Sequence, residues 1–164
     1  MLTVLPSVVV LGLVAVAAAC LAQNRSSPVE AVTERMAAST FVGVATAIQG
    51  AHFAEEWATG FHVQFPALIG LDPMPLSFFV TFNLVWLAIW IVSIPFLRVG
   101  RKAAFFAAWF LAIAGMLNGI AHPMMAISSG GYFPGLITSP IIGIAGVLLW
   151  QRLQTATVKP DRAT

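Results

Sequence analysis

Five stretches of this chain are apolar enough, and about long enough, to cross a bilayer core of roughly 30 Å. They run over about 2–22, 37–58, 76–97, 103–122 and 134–151. A crossing helix needs about 20 mainly apolar residues. The pattern therefore predicts an all-α, polytopic membrane helix bundle of about five transmembrane helices. The breaks are polar or rich in proline and glycine: QNRSSPVEAVTER, QFPALIGLDPMP, RVGRK and HPMMAISSGGYFPG. Composition agrees, since 59% of the 164 residues are hydrophobic and 9% are charged, against about 25% charged in soluble domains. Three regions follow from the breaks: an N-terminal helix and cytoplasmic loop over 1–35, a four-helix transmembrane core over 36–153, and a polar cytoplasmic tail over 154–164 that should fray.

The basic residues orient the bundle. Arg25 and Arg35 lie between spans one and two, and Arg98, Arg101 and Lys102 between three and four. Arg152, Lys159 and Arg162 follow span five, which completes the eight. With five spans all of them fall on one side, and the positive-inside rule makes that side cytoplasmic. The N-terminus is then outside and the C-terminus inside. The loops 59–75 and 123–133 contain no Lys or Arg and face out. The expected home is the bacterial cytoplasmic membrane. No Lys/Arg cluster with interleaved aromatics is present, which argues against nucleic acid. Cys20 is the only cysteine, so no intrachain disulfide forms. VAAACLAQ loosely resembles a lipoprotein signal ending at Cys20, but MLTVLPS has no basic n-region. The first span is therefore read as retained. Small residues four apart allow close helix crossings: Gly43 with Ala47, Gly115 with Gly119, and Ser139 with Gly143.

AHFAEEWATGFH, residues 51–62, stands out in this oily setting, with two histidines beside two glutamates. At about 100° per residue, Gln49, His52, Glu55, Glu56 and Thr59 share one stripe of span two. An ionised carboxylate facing lipid costs several kcal/mol, so the stripe should face the bundle interior. Asn118 and His122, four apart on span four, reach a similar depth, and Asn83 sits on span three. His62 and Tyr132 fall in the two outer loops. Gln49, His62, Asn83 and Asn118 are candidate supporting residues. Taken singly, each asparagine is better explained by interhelical hydrogen bonding. Trp57, Trp86, Trp90 and Trp109 read as packing or interfacial aromatics.

HFAEE is H-x-x-E-E, His122 is a later histidine, and YFPG (Tyr132 to Gly135) is Y-x-P-G. In that order the three resemble the HXXEE-domain family of small integral membrane proteins, over roughly residues 40–150. The resemblance points to His52, Glu55, Glu56, His122 and Tyr132 as site residues and names no reaction.

Three chemistries would use them. His52, Glu56 and His122 could bind a divalent metal, zinc or iron, through two imidazoles and a carboxylate. Glu55, Glu56 and Tyr132 would then serve the catalytic step, a glutamate acting as base on water. Without a metal, a desolvated glutamate beside a second carboxylate can act as general acid, with histidine as base. Either enzyme would act on a lipid-like or small amphiphilic substrate by hydrolysis, isomerisation or cyclisation. The third reading is a non-enzymatic protein that binds a small molecule, handles protons, or joins a membrane-protein partner or homo-oligomer. The zinc motifs H-E-x-x-H and H-x-x-E-H are absent from the chain.

The orientation is testable by labelling single cysteines at Gln64 and Lys159 on intact cells, in a Cys20→Ala background. Position 64 should react and 159 should not; the reverse pattern would turn the bundle over.

Overall fold

The structure is a computed structural model that describes residues 2–158. It is built from α1 (Leu5–Asn24), α2 (Val32–Thr59), α3 (Phe61–Ala67), α4 (Leu76–Arg98), α5 (Lys102–Ser129) and α6 (Ser139–Thr155), with one 3-10 turn over Leu2–Val4. No strand occurs among the described residues, only an isolated bridge between Ser26 and Val158. Three helices, α1, α4 and α5, are long and apolar enough to cross a membrane. Helix α2 has the length but carries Glu34, Arg35, Glu55 and Glu56, and α6 has only 17 residues.

Four helices close a ring. Helix α2 packs on α4 and α6, and α5 packs on the same two from the other side. Helix α1 lies outside the ring, along α5. Helix α5 is apolar along most of its length and buries Ala108, Trp109, Leu111 and Ala112 almost completely, as a central helix must. The outward faces are apolar too: Leu13 and Val16 on α1, Ile91 and Val92 on α4, and Ile144 on α6 are all exposed. Such a surface suits lipid and not water.

The tightest crossing is α5 on α6. A Cβ on Gly119 would lie 2.7 Å from the Cα of Gly143, and one on Gly146 would lie 2.7 Å from the carbonyl oxygen of Ala112. The spacing of Gly115 with Gly119 and of Ser139 with Gly143 thus marks a real contact, to which Gly146 must be added. Gly43 and Ala47 make no such crossing. A Cβ on Gly43 would meet only the Ile94 side chain, at an ordinary 3.7 Å, and Ala47 is exposed.

One end of the bundle gathers the described basic residues. The Arg35 guanidinium donates to the carbonyl oxygens of Arg98 (3.0 Å) and Pro28 (2.6 Å). Arg98 donates to Ser39 Oγ at 3.2 Å, and Arg152 lies 5.0 Å over the Phe41 ring. Arg25 donates to Oγ1 and to the carbonyl oxygen of Thr157, both at 2.7 Å.

These bonds correct several sequence boundaries. Residues 154–158 are not a frayed tail, because Arg25 and the Ser26–Val158 bridge hold them, with Ala156 and Thr157 buried. Lys159, Arg162 and the rest of 159–164 lie outside the described residues. The division at 35/36 falls inside α2. Helix α5 runs through Pro123 to Ser129, beyond the expected end at 122. Proline removes only one N–H, and the stop comes at Gly130, whose left-handed φ of 74° suits glycine. The expected loop 59–75 contains α3, set off by Gly60 at φ 81°.

Gly119→Val should lower thermal stability in detergent by about 1–3 kcal/mol, the usual cost of overpacking. Gly12→Ala, where a Cβ meets nothing within 4 Å, should leave the melting temperature unchanged or slightly raised. Equal melting temperatures for the two would remove the α5–α6 crossing as a stabilising contact.

Candidate metal centre

The ring brings the polar stripe of α2 against α5 and the start of α6. His52, Glu56 and Gln49 are buried, and so is His122 on α5. Both imidazoles turn Nε2 toward one carboxylate oxygen. Glu56 Oε1 lies 3.6 Å from His52 Nε2 and 3.4 Å from His122 Nε2. The rings meet edge-on, with centroids 4.7 Å apart and planes at 85°. One ligand atom from each of the three residues lies within 4.8 Å of the other two, so the group could hold a metal ion.

The far sides of the rings are tied down. His122 Nδ1 lies 2.6 Å from the carbonyl oxygen of Pro134. A carbonyl only accepts, so Nδ1 carries the proton and the neutral ring keeps a lone pair on Nε2. His52 Nδ1 lies 2.8 Å from Thr138 Oγ1, and that hydroxyl donates to Glu55 Oε2 at 2.5 Å. With its hydrogen committed to Glu55, the Thr138 oxygen accepts from His52. His52 Nε2 is therefore also a lone pair. It is fully buried and has no hydrogen-bond partner among the described residues. A buried nitrogen is seldom left so. Two imidazole nitrogens and one carboxylate oxygen are a donor set that fits zinc or iron.

Glu55 faces elsewhere. Its Oε1 accepts from Tyr132 Oη (2.7 Å) and the Ile137 N–H (3.0 Å), and its Oε2 from the N–H (2.9 Å) and the hydroxyl of Thr138. Partial burial, and then the bond to Glu55, push the Tyr132 phenol above its usual range. Tyr132 is therefore a protonated donor at neutral pH. The sequence reading put both residues in the catalytic step; in the structure they bond each other and stand beside the His52–Glu56–His122 group.

The Y-x-P-G stretch now has a physical reading. Tyr132 donates to Glu55, and Pro134 offers its carbonyl to His122. Gly135 adopts φ 85°, and a Cβ there would lie 2.6 Å from His122 Nδ1 and 2.8 Å from His52 Cε1. Only glycine lets the backbone pass this close over both rings.

The supporting candidates divide. Gln49, Asn83 and Asn118 line a cavity of about 460 Å³ that also reaches Glu56 and His122. Asn83 donates to the Phe79 carbonyl of its own helix at 3.0 Å. His62, on α3, stacks near Phe79 with centroids 6.1 Å apart and stays outside the three-residue group. Thr138 is the residue that sequence reasoning missed. A lone threonine at the start of an apolar span carries no signal until its neighbours are known. Comparison with protein-family models, with curated proteins and with solved structures gives no match.

Gly135→Ala and Thr138→Val should each weaken zinc binding about 10–100-fold, the usual effect of disturbing groups that orient a ligand. Gly131→Ala, in open space, should bind as wild type. Chelator competition on detergent-purified protein measures all three, and equal affinities would show that the Pro134–Thr138 segment does not orient the histidines.

Proposed function

We propose that this protein is a membrane-embedded enzyme, with His52, Glu56 and His122 as ligands of a divalent zinc or iron ion. The observation that carries the reading is the paired orientation of the imidazoles. Each Nδ1 is held by a fixed partner, and each Nε2 faces the same Glu56 oxygen, His52 Nε2 with no hydrogen-bond partner among the described residues. A divalent ion bound there supplies Lewis acidity for polarising a carbonyl or activating water. The chain's own residues bind and orient. Glu55, saturated with donors, is a positioning residue that fixes Thr138 and through it His52. Tyr132 keeps Glu55 in place from the outer surface. Glu56 and His122 border the cavity in which a lipid-like or small amphiphilic molecule would undergo hydrolysis or isomerisation.

The topology proposed with this reading has five crossings, N-terminus out and C-terminus in. It is supported by the gathering of Arg25, Arg35, Arg98 and Arg152 at the end away from the site. Helices α2 and α6 cross as members of the ring that α4 and α5 complete. The site then lies in the outer leaflet, and the bacterial cytoplasmic membrane is the proposed location. Membership of the HXXEE-domain family is part of the same proposal, because every element of the motif has a partner at the site.

A second reading has one observation in its favour. Tyr132, Glu55, Thr138 and His52 form an unbroken hydrogen-bond chain from the surface to the buried group. Such a chain could move protons without any metal.

Elemental analysis of detergent-purified protein separates the two. Wild type should carry close to one zinc or iron per chain. His52→Ala and Glu56→Gln should carry none, and Glu55→Gln should retain metal with activity lost. Wild-type protein that takes up neither metal on reconstitution would overturn the metal reading and leave the metal-free ones, of which the hydrogen-bond chain supports proton handling.

A further inference from the structure

The cavity beside the metal group is walled by apolar side chains. Phe79, Phe82 and Trp86 of α4 form one side, and Leu11 and Gly12 of α1 the other. Trp86 stacks flat on Phe110 of α5, with centroids 4.0 Å apart and planes within 1°. Its walls separate where α1 meets α4. Helix α1 packs along α5, and α4 packs on α2 and α5, but α1 and α4 do not pack extensively on each other. Val8 and Val10 of α1 line the cavity and yet are about half exposed on the apolar outer surface, at 49% and 51%. The cavity therefore opens sideways, toward lipid.

Its inner end is polar and short of partners. Gln49 is only 7% exposed, and its Oε1 is enclosed without a hydrogen-bond partner among the described residues. A buried amide left so is costly, and a ligand that donates a hydrogen bond would relieve it. No Lys or Arg among the described residues lines the cavity. Arg25, Arg35 and Arg98 are engaged at the other end of the bundle. The bare oxygens of an anionic head have no hydrogen to give Gln49 Oε1, whereas a hydroxyl or an N–H does. The volume of about 460 Å³ lies in the lower half of the roughly 300–1,000 Å³ usual for ligand sites.

We infer that the ligand of this site is a neutral-headed lipid with one apolar chain, entering from the bilayer between α1 and α4 and placing a hydroxyl or N–H at Gln49 beside Glu56 and His122. The inference rests on the metal-centre reading for the chemistry done on that head. Acyl and isoprenoid chains share the required features, and a two-chain phospholipid does not.

Trp86 and Trp90 border the cavity and report on it. The protein in phosphatidylcholine nanodiscs, with Trp57→Phe and Trp150→Phe, is titrated with three brominated quenchers. These are an octadecanol, an isoprenoid alcohol of similar length, and a two-chain phosphatidylcholine. One of the two alcohols should quench saturably, which identifies the chain type, and the phospholipid should quench only in proportion to its amount. Gly12→Phe fills open space at the portal and should weaken the saturable phase at least tenfold, with metal content unchanged. Gln49→Leu should weaken the alcohol about tenfold and leave the proportional quenching by the phospholipid unchanged. Failure of both alcohols to saturate, equal saturation by the phospholipid, or unchanged affinity in both variants would each overturn the assignment. Metal content is read on the same samples. Saturable binding by a protein that takes up no metal would overturn the metal reading and leave the ligand assignment standing. Metal without saturable binding would overturn the ligand assignment alone.

Discussion

Glu55 is the joint on which the site end of the bundle depends. One carboxylate on α2 accepts from a tyrosine hydroxyl, two backbone N–H groups and a threonine hydroxyl, all from the segment that leads into α6. A negative charge just ahead of α6 also meets the positive end of that helix. These bonds draw residues 132–138 across the top of the ring. The same segment delivers the Pro134 carbonyl to His122 and the Thr138 hydroxyl to His52. The two glutamates are adjacent in sequence and about 100° apart on the helix, so one can hold the segment while the other faces the histidines.

This arrangement needs the helices to be close. His52 and His122 sit on α2 and α5, and those two touch only sparsely compared with their contacts to α4 and α6. Their spacing is set by the ring as a whole, and above all by the glycine crossing of α5 on α6. Without side chains at Gly119 and Gly143 the helix axes approach, and α6 begins where Thr138 can reach His52. At the opposite end Arg35 and Arg25 tie the loop after α1 to α4 and to residues 154–157. The polar bonds at both ends leave the middle of the bundle to apolar packing.

Much of this was legible in the sequence, for identifiable reasons. The helices announced themselves because membrane length demands long apolar runs, and the basic residues marked one end. The stripe on α2 was legible because Gln49, His52 and Glu56 share a helical face and cannot all face lipid. His122 could be paired with His52 from depth alone. What stayed hidden depends on three-dimensional neighbours. Thr138 is ordinary until His52 lies beside it. The helix angle places Glu56 with the histidines, as the structure does, whereas the bonds of Glu55 to Ile137 and Thr138 depend on where α6 begins. The packing of residues 154–158 was missed because a polar composition says nothing of the Arg25 side chain that satisfies their carbonyls. The cavity was not foreseen, since its walls are aromatic residues that would pack equally well in a solid core.

The central claim is that His52, Glu56 and His122 share one ion. X-ray absorption at the metal edge of the zinc-loaded, detergent-purified protein tests it most directly. The account predicts two imidazole nitrogens at about 2.0–2.1 Å, with oxygen completing the shell and no sulfur. It also predicts that one imidazole disappears from the spectrum of the His122→Ala protein. A shell of oxygen alone, or a spectrum unchanged by His122→Ala, would contradict it.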